Sequence, residues 1–199
     1  MPELPEVETV RRGLALKMSG RRILQAELRR PDLRRPFPPA LAKRLDGARI
    51  GALGRRGKYI LIELDSDGVL LLHLGMSGRV TAGTAALPDA PHDHVVLRLD
   101  DGTVIRFNDA RRFGLLDYIK RGEETQHPLL AGLGPEPLEA EFNGEYLTWA
   151  LAGKMTIKWN SNALSVARTR FISGPAAATN TESRFGLRNA RKLTGTGLA

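Results

Sequence analysis

The residues with the plainest chemical potential stand at the start, in the run Met1-Pro2-Glu3-Leu4-Pro5-Glu6-Val7-Glu8-Thr9. Removal of Met1, which commonly precedes a small second residue, leaves the secondary amine of Pro2 as the free terminus. An α-amino group titrates near pH 8, against about 10.4 for a lysine side chain, so roughly a hundredfold more of it is neutral at pH 7. A neutral secondary amine that attacks a sugar or carbonyl carbon yields an iminium directly. Proline is also an ordinary second residue, and by itself it marks no site. Glu3 and Glu6 lie three apart and share a helix face beside that amine. They are placed to act as a general acid with a supporting carboxylate, or simply to cap a helix N-terminus.

Lys58 opens the run Lys58-Tyr59-Ile60-Leu61-Ile62-Glu63-Leu64 and shares a strand face with Ile60, Ile62 and Leu64. A charge ending an apolar stripe either snorkels to the surface or points into a cleft. Arg111-Arg112-Phe113-Gly114 sets two arginines beside an aromatic in a turn, the composition of a wedge that enters a duplex. A solvated turn with Phe113 in the core fits the same residues. Met76, within His73-Leu74-Gly75-Met76-Ser77-Gly78, is a second apolar wedge or a core filler. His92-Asp93-His94 puts two histidines on one strand face, half of a metal site for which no further ligand is evident. A histidine contacting a phosphate is the better reading if the partner is nucleic acid.

The elements that must hold these residues read as follows. Leu4, Val7, Val10 and Leu14 recur at helical spacing, with Gly13 weakening the far end. Strands are predicted over Arg22–Leu28, Lys58–Leu64, Val69–Leu74, Val95–Leu99, Thr103–Phe107 and Leu115–Ile119, with hairpin turns at Asp65–Gly68 and Asp100–Gly102. Such short, regularly spaced strands favour a β-sandwich or barrel. Pro31–Pro39 and Thr81–Pro91 read as loops, and Gly132–Pro137 as a stiff linker. Phe142–Ala152 reads as a helix with Asn143 as N-cap.

With 199 residues the chain fits one large or two small domains. It contains no cysteine, which excludes disulfides, a thiol nucleophile and every cysteine-based zinc site. No apolar run approaches 18 residues, so a membrane span is excluded, and the glutamate-rich start is no secretory signal. A cytoplasmic protein is expected. The net charge is +8, and 23 of the 30 basic residues are arginine. Up to Lys158 the balance is 24 basic to 21 acidic residues; beyond it, six to one. The excess therefore sits in the tail, and charge alone does not make the body a nucleic-acid binder.

The order of these motifs is more specific than any one of them. The opening Met1–Thr9 run resembles the N-terminal signature of the bacterial formamidopyrimidine-DNA glycosylases, which excise 8-oxoguanine. Arg55–Tyr59, His73–Gly78, His92–His94, Asp109–Gly114, Leu133–Leu138 and Phe142–Leu147 are similar to that family's later motifs, in the same order, over residues 1 to about 158. The resemblance implies an α+β fold: a leading helix and two-sheet β-sandwich over 1–131, a linker at 132–138, and the start of a helical DNA-binding domain over 139–158. It implies Pro2 as nucleophile at C1′ of the damaged nucleotide, Glu3 as the acid that helps open the deoxyribose, and Glu6 as its support. Lys58 would contact the phosphate near the lesion and assist elimination. Met76, Arg111 and Phe113 would fill the gap left by the flipped base, with Arg112, His92 and Lys154 on DNA-contacting positions. The implied partner is double-stranded DNA carrying oxidised bases or abasic sites, bound by a monomer that touches no membrane. Flipping is required because the glycosidic carbon is closed to an amine while the base is stacked.

The resemblance fails in the last fifth. Lys154-Met155-Thr156-Ile157-Lys158 lacks the family's proline, and residues 159–199 lack the helix–two-turns–helix motif and the four-cysteine zinc finger. No cofactor or metal is therefore expected, and the helical domain reads as truncated or aberrant. The Ala, Gly, Ser, Thr and Asn-rich tail suggests poor order and a reading-frame slip or truncated gene. Two other readings compete: the sister endonuclease VIII, which typically has Gly where Leu4 stands, and a catalytically dead DNA-binding remnant of the family.

Overall fold

The computed structural model describes residues 2–152. Lys154, the end of the expected helical domain and the 159–199 tail lie outside the described residues. Helix α1 (Leu4–Met18) carries Pro5 in its first turn, where a missing N–H costs nothing. Glu6 Oε2 accepts the Glu3 N–H at 2.9 Å, closing the exposed end. Val7, Leu14 and Met18 form its buried stripe. The helix runs through Gly13 to Met18, because the burial of Met18 offsets the roughly 1 kcal/mol that a helical glycine costs.

Eight antiparallel strands follow: β1 (Ile23–Leu28), β2 (Ile50–Arg56), β3 (Tyr59–Leu64), β4 (Gly68–His73), β5 (Arg79–Thr84), β6 (Asp93–Leu99), β7 (Thr103–Asn108) and β8 (Leu115–Lys120). They build two four-stranded sheets, ordered β1-β6-β7-β5 and β2-β3-β4-β8. Their facing residues, among them Ile23, Ile50, Ile60, Leu64, Leu99 and Phe107, form the main core together with the stripe of α1. A short helix α2 (Leu41–Leu45) precedes β2, and α3 (Gly144–Leu151) closes the described chain. Asn143 caps α3, its Oδ1 accepting the Tyr146 N–H at 2.9 Å.

The expected helices, hairpins and sandwich are present. Two strands escape the periodicity. In β2 only Ile50 and Leu53 are buried, and its pairing with β3 slips between them, so the bulge shifts the apolar phase from two to three. β5 covers part of the expected Thr81–Pro91 loop. It is an edge strand bonded only to β7, with no residue fully buried, so nothing in it alternates. β4 is buried on both faces because a second cluster covers its outside: Val69 and Leu71 pack with Leu115, Ile119 and Leu130. That cover explains its unbroken apolar run.

Partly buried arginines tie the 132–138 segment to the sandwich. Glu8 binds Arg11 and Arg12 on α1, and also Arg55 Nε at 3.2 Å on β2. Arg55 reaches Glu136 Oε2 at 2.8 Å, and Glu136 Oε1 accepts the Gly57 N–H at 2.6 Å. Arg56 donates to the carbonyls of Leu133 and Gly134. The Arg11 hydrogen bonds foremost, then Arg12 and Arg55, hold the Glu8 carboxyl at about 2, although partial burial opposes them. A carboxyl lowered in the folded state stabilises the fold above its unfolded pKa of 4.5, and that contribution fades as pH falls toward 2. Solvent screening reduces it to about 1–2 kcal/mol. Acid unfolding of Glu8→Gln, followed by circular dichroism, is therefore expected to be flatter than wild type between pH 4.5 and 2. A parallel slope in both proteins would remove Glu8 from this role.

Candidate functional site

The sheet order places the chemistry. β4 pairs with β8 in one sheet, and β5 pairs with β7 in the other. The 74–78 turn carries the chain from β4 across to β5, and the 109–114 turn carries it back from β7 to β8. The two crossings therefore lie side by side at one end of the sandwich. The expected wedge residues occupy both. Met76 is 46% exposed and Phe113 40%, so neither fills the core. Arg111 stacks its guanidinium 4.8 Å over the Phe113 ring. Arg112 takes a left-handed φ of 57° and is exposed, turning the chain between them.

Lys58 lies in the turn between β2 and β3, and it does not snorkel. Its side chain is 2% exposed, and its Nζ is 3.0 Å from Glu3 Oε2. The distance makes an ion pair, but no hydrogen bond of good geometry reaches the Nζ among the described residues. Glu3 itself is open to solvent. The structure thus brings Glu3, Glu6 and Lys58 to the mouth of α1, where Pro2 stands half-buried. Glu6 spends one oxygen on the Glu3 N–H, which fixes the backbone next to Pro2.

His73 was not singled out by the sequence beyond its motif. It ends β4 and packs its ring 4.9 Å from that of Tyr59, directly after Lys58. The Gly75 N–H donates to its Nδ1 at 3.0 Å, which selects the neutral tautomer with the proton on Nε2. Burial first, then the charges of Arg34 and Lys58, lower its pKa to about 4. An imidazole kept neutral in the fold binds fewer protons than the unfolded chain below pH 6.5, so stability falls as pH drops from 6.5 to about 4. His73→Gln is expected to show a shallower fall of Tm over that window. A slope equal to wild type would show that another group titrates there.

His92 and His94 lie side by side, their ring centroids 6.0 Å apart and edge to face, but only His94 is on a strand. His92 has a φ of 73° and stands exposed before β6, whereas His94 is buried and its Nε2 lies 3.0 Å from the Asp109 carbonyl oxygen. The left-handed φ at His92 places that residue ahead of β6, so the expected strand pair becomes one histidine on the strand and one in the turn before it. Lys154 lies outside the described residues. Asp109, which nothing in the sequence separated from its neighbours, is fully buried between the two crossings.

The comparisons bear on this arrangement. Residues 1–116 match the formamidopyrimidine-DNA glycosylase N-terminal domain. The formamidopyrimidine-DNA glycosylase of Dinoroseobacter shibae is 54% identical over 165 residues, covering 78% of this chain and 58% of that protein. That of Paracoccus denitrificans is 58% identical over 164 residues, covering 77% and 57%. The chain thus spans less than two thirds of these curated relatives. Among solved structures, Lactococcus lactis Fpg in complex with DNA containing an abasic site superimposes with a TM-score of 0.69 at 32% identity, over 75% of this chain and 56% of that one. The same enzyme with DNA containing Fapy-dG gives 0.69 at 33% identity, with the same coverage. The leading helix, the two facing sheets and the matched sequence agree: the chain belongs to the formamidopyrimidine-DNA glycosylase family.

Proposed function

We propose that this chain carries the covalent chemistry of a DNA glycosylase for oxidised purines that is also an abasic-site lyase. The observation that supports it most directly is the buried Lys58 ammonium beside the open Glu3 carboxylate at the mouth of α1. Beyond its ion pair with Glu3, the Nζ makes no well-formed hydrogen bond among the described residues, so its donors remain for a second anion, and a DNA phosphate next to the lesion supplies one.

In this reading the neutral Pro2 nitrogen attacks C1′ of the flipped nucleotide. The C1′–N bond breaks with its electron pair on the base, which takes up a proton. Glu3 protonates the ring oxygen as the C1′–O4′ bond opens, and the proline nitrogen, having lost its own proton, becomes an iminium. That iminium acidifies C2′. Loss of a C2′ proton then expels the 3′ phosphate, which Lys58 holds. Glu6 keeps the amine and Glu3 in register through the Glu3 N–H. The family's four-cysteine zinc site finds no thiolate donor in this sequence, and no step depends on it.

Met76, Arg111, Arg112 and Phe113 project together at one end of the sandwich, as a wedge for the vacated stack requires. His92 stands exposed near them as a phosphate contact. Among the described residues no helix is long and apolar enough to cross a membrane. Sodium borohydride tests the proposal, because it reduces the iminium to a stable amine. A covalent adduct with a duplex containing an abasic site is expected. Binding without an adduct would instead fit the reading of a DNA-binding remnant without chemistry. Stronger cleavage of a thymine-glycol duplex than of an 8-oxoguanine:cytosine duplex would favour the endonuclease VIII type.

A further inference from the structure

Asp109 is a carboxylate with no solvent exposure and no cationic partner among the described residues. Its two oxygens face opposite ways. Oδ1 accepts the Ser77 hydroxyl at 2.9 Å, from the crossing that carries Met76. Oδ2 accepts the Gly114 N–H at 2.7 Å, from the crossing that carries Arg111 and Phe113. Its own backbone is pinned as well, its N–H donating to the His92 carbonyl at 3.1 Å and its carbonyl accepting from the Arg112 N–H at 3.2 Å.

The two crossings also touch directly. Gly75 has a φ of 67°, and a Cβ there would collide with the carbonyl of Phe113. The backbone of one crossing thus lies against that of the other, a spacing only glycine allows. At Gly114 a Cβ would meet the Phe107 ring and Asp109 Oδ2. Burying a bare carboxylate is costly unless its hydrogen bonds repay it. Here both go to the two crossings and neither goes to a strand.

We propose that Asp109 is a positioning residue that locks the two crossings into one rigid wedge, so that Met76 and the Arg111–Phe113 pair enter a duplex together. This rests on the proposed reading of those side chains as a wedge. Insertion then costs little ordering entropy, since the three groups are held in place before contact. A pair of independent loops would each have to be ordered by the DNA.

Amide hydrogen exchange in the free 199-residue chain tests the coupling without needing DNA. Ser77→Ala removes one bond to the carboxylate and leaves the fold of both sheets in place. Exchange at 110–114, on the far crossing, is expected to rise about tenfold along with that at 74–78, the effect of one lost charge-assisted hydrogen bond. Asp109→Asn is expected to raise both further. A rise confined to 74–78 in Ser77→Ala would overturn the proposal. A second arm reads the wedge itself, through the fluorescence of 2-aminopurine placed beside an abasic site. An increase on binding that Met76→Ala and Ser77→Ala both reduce supports the coupling in function. An increase that Met76→Ala reduces and Ser77→Ala leaves intact overturns it. No increase even with the wild-type chain would overturn the wedge reading and leave the exchange result to decide on the coupling.

Discussion

Changing Pro2 to Gly is expected to reduce borohydride trapping on abasic-site DNA by two orders of magnitude or more, whereas Lys154→Ala leaves trapping at saturating protein near wild type. Glycine keeps a terminal amine of about the same basicity, so the loss comes from geometry. The pyrrolidine ring fixes the nitrogen's lone pair relative to α1, and the Glu6 bond to the Glu3 N–H fixes the next peptide. Glycine frees that terminus, and misplacement by about 1 Å costs roughly a hundredfold. A lysine that only contacts a phosphate acts differently. Its loss weakens binding and lowers the salt slope by about one. Trapping yields at saturating protein, with binding measured across salt concentrations, separate the two. Equal losses of trapping from both changes would count against Pro2 as nucleophile.

The second large effect concerns substrates. A polypeptide of these 199 residues is expected to cleave a pre-formed abasic site far faster than it excises 8-oxoguanine from an intact duplex. Excision requires unstacking and flipping a paired base, which costs a few kcal/mol or more, repaid by contacts on both sides of the DNA. In the proposed reading the sandwich supplies the amine, the acid and the wedge. The six basic residues beyond Lys158 add sequence-independent attraction to the backbone. An abasic site offers its C1′ without base recognition, so the iminium still forms. Single-turnover strand cleavage on matched duplexes gives the ratio. Excision of 8-oxoguanine as fast as abasic cleavage, at near-stoichiometric protein, would show that recognition needs nothing more than this chain.

The sequence by itself determined the leading helix, the hairpins at Asp65–Gly68 and Asp100–Gly102, and the sandwich class. Each of these is a local pattern: a 3.6-residue apolar stripe, or apolar runs closed by Asp and Gly turns. It also determined the family, through the order of motifs, and with it the expected roles of Pro2, Glu3, Glu6 and Lys58. What it could not supply was anything that depends on which strands become neighbours. β2 and β5 were invisible because a bulge and an edge position erase the alternation that marks a strand. Lys58 read as snorkelling or as pointing into a cleft until α1 brought Glu3 to 3.0 Å from it. Likewise His92 and His94 read as a pair on one strand; their rings do lie 6.0 Å apart, but one is exposed in the turn before β6 and the other is buried on it. Asp109 is the extreme case, an unremarked acid whose meaning lies in the two crossings that meet on its two oxygens, one of them through Ser77, 32 residues away. Periodicity encodes which face of an element is apolar. Only the sheet order, set by packing across the whole sandwich, decides which loops share an end and which charges are sealed between them.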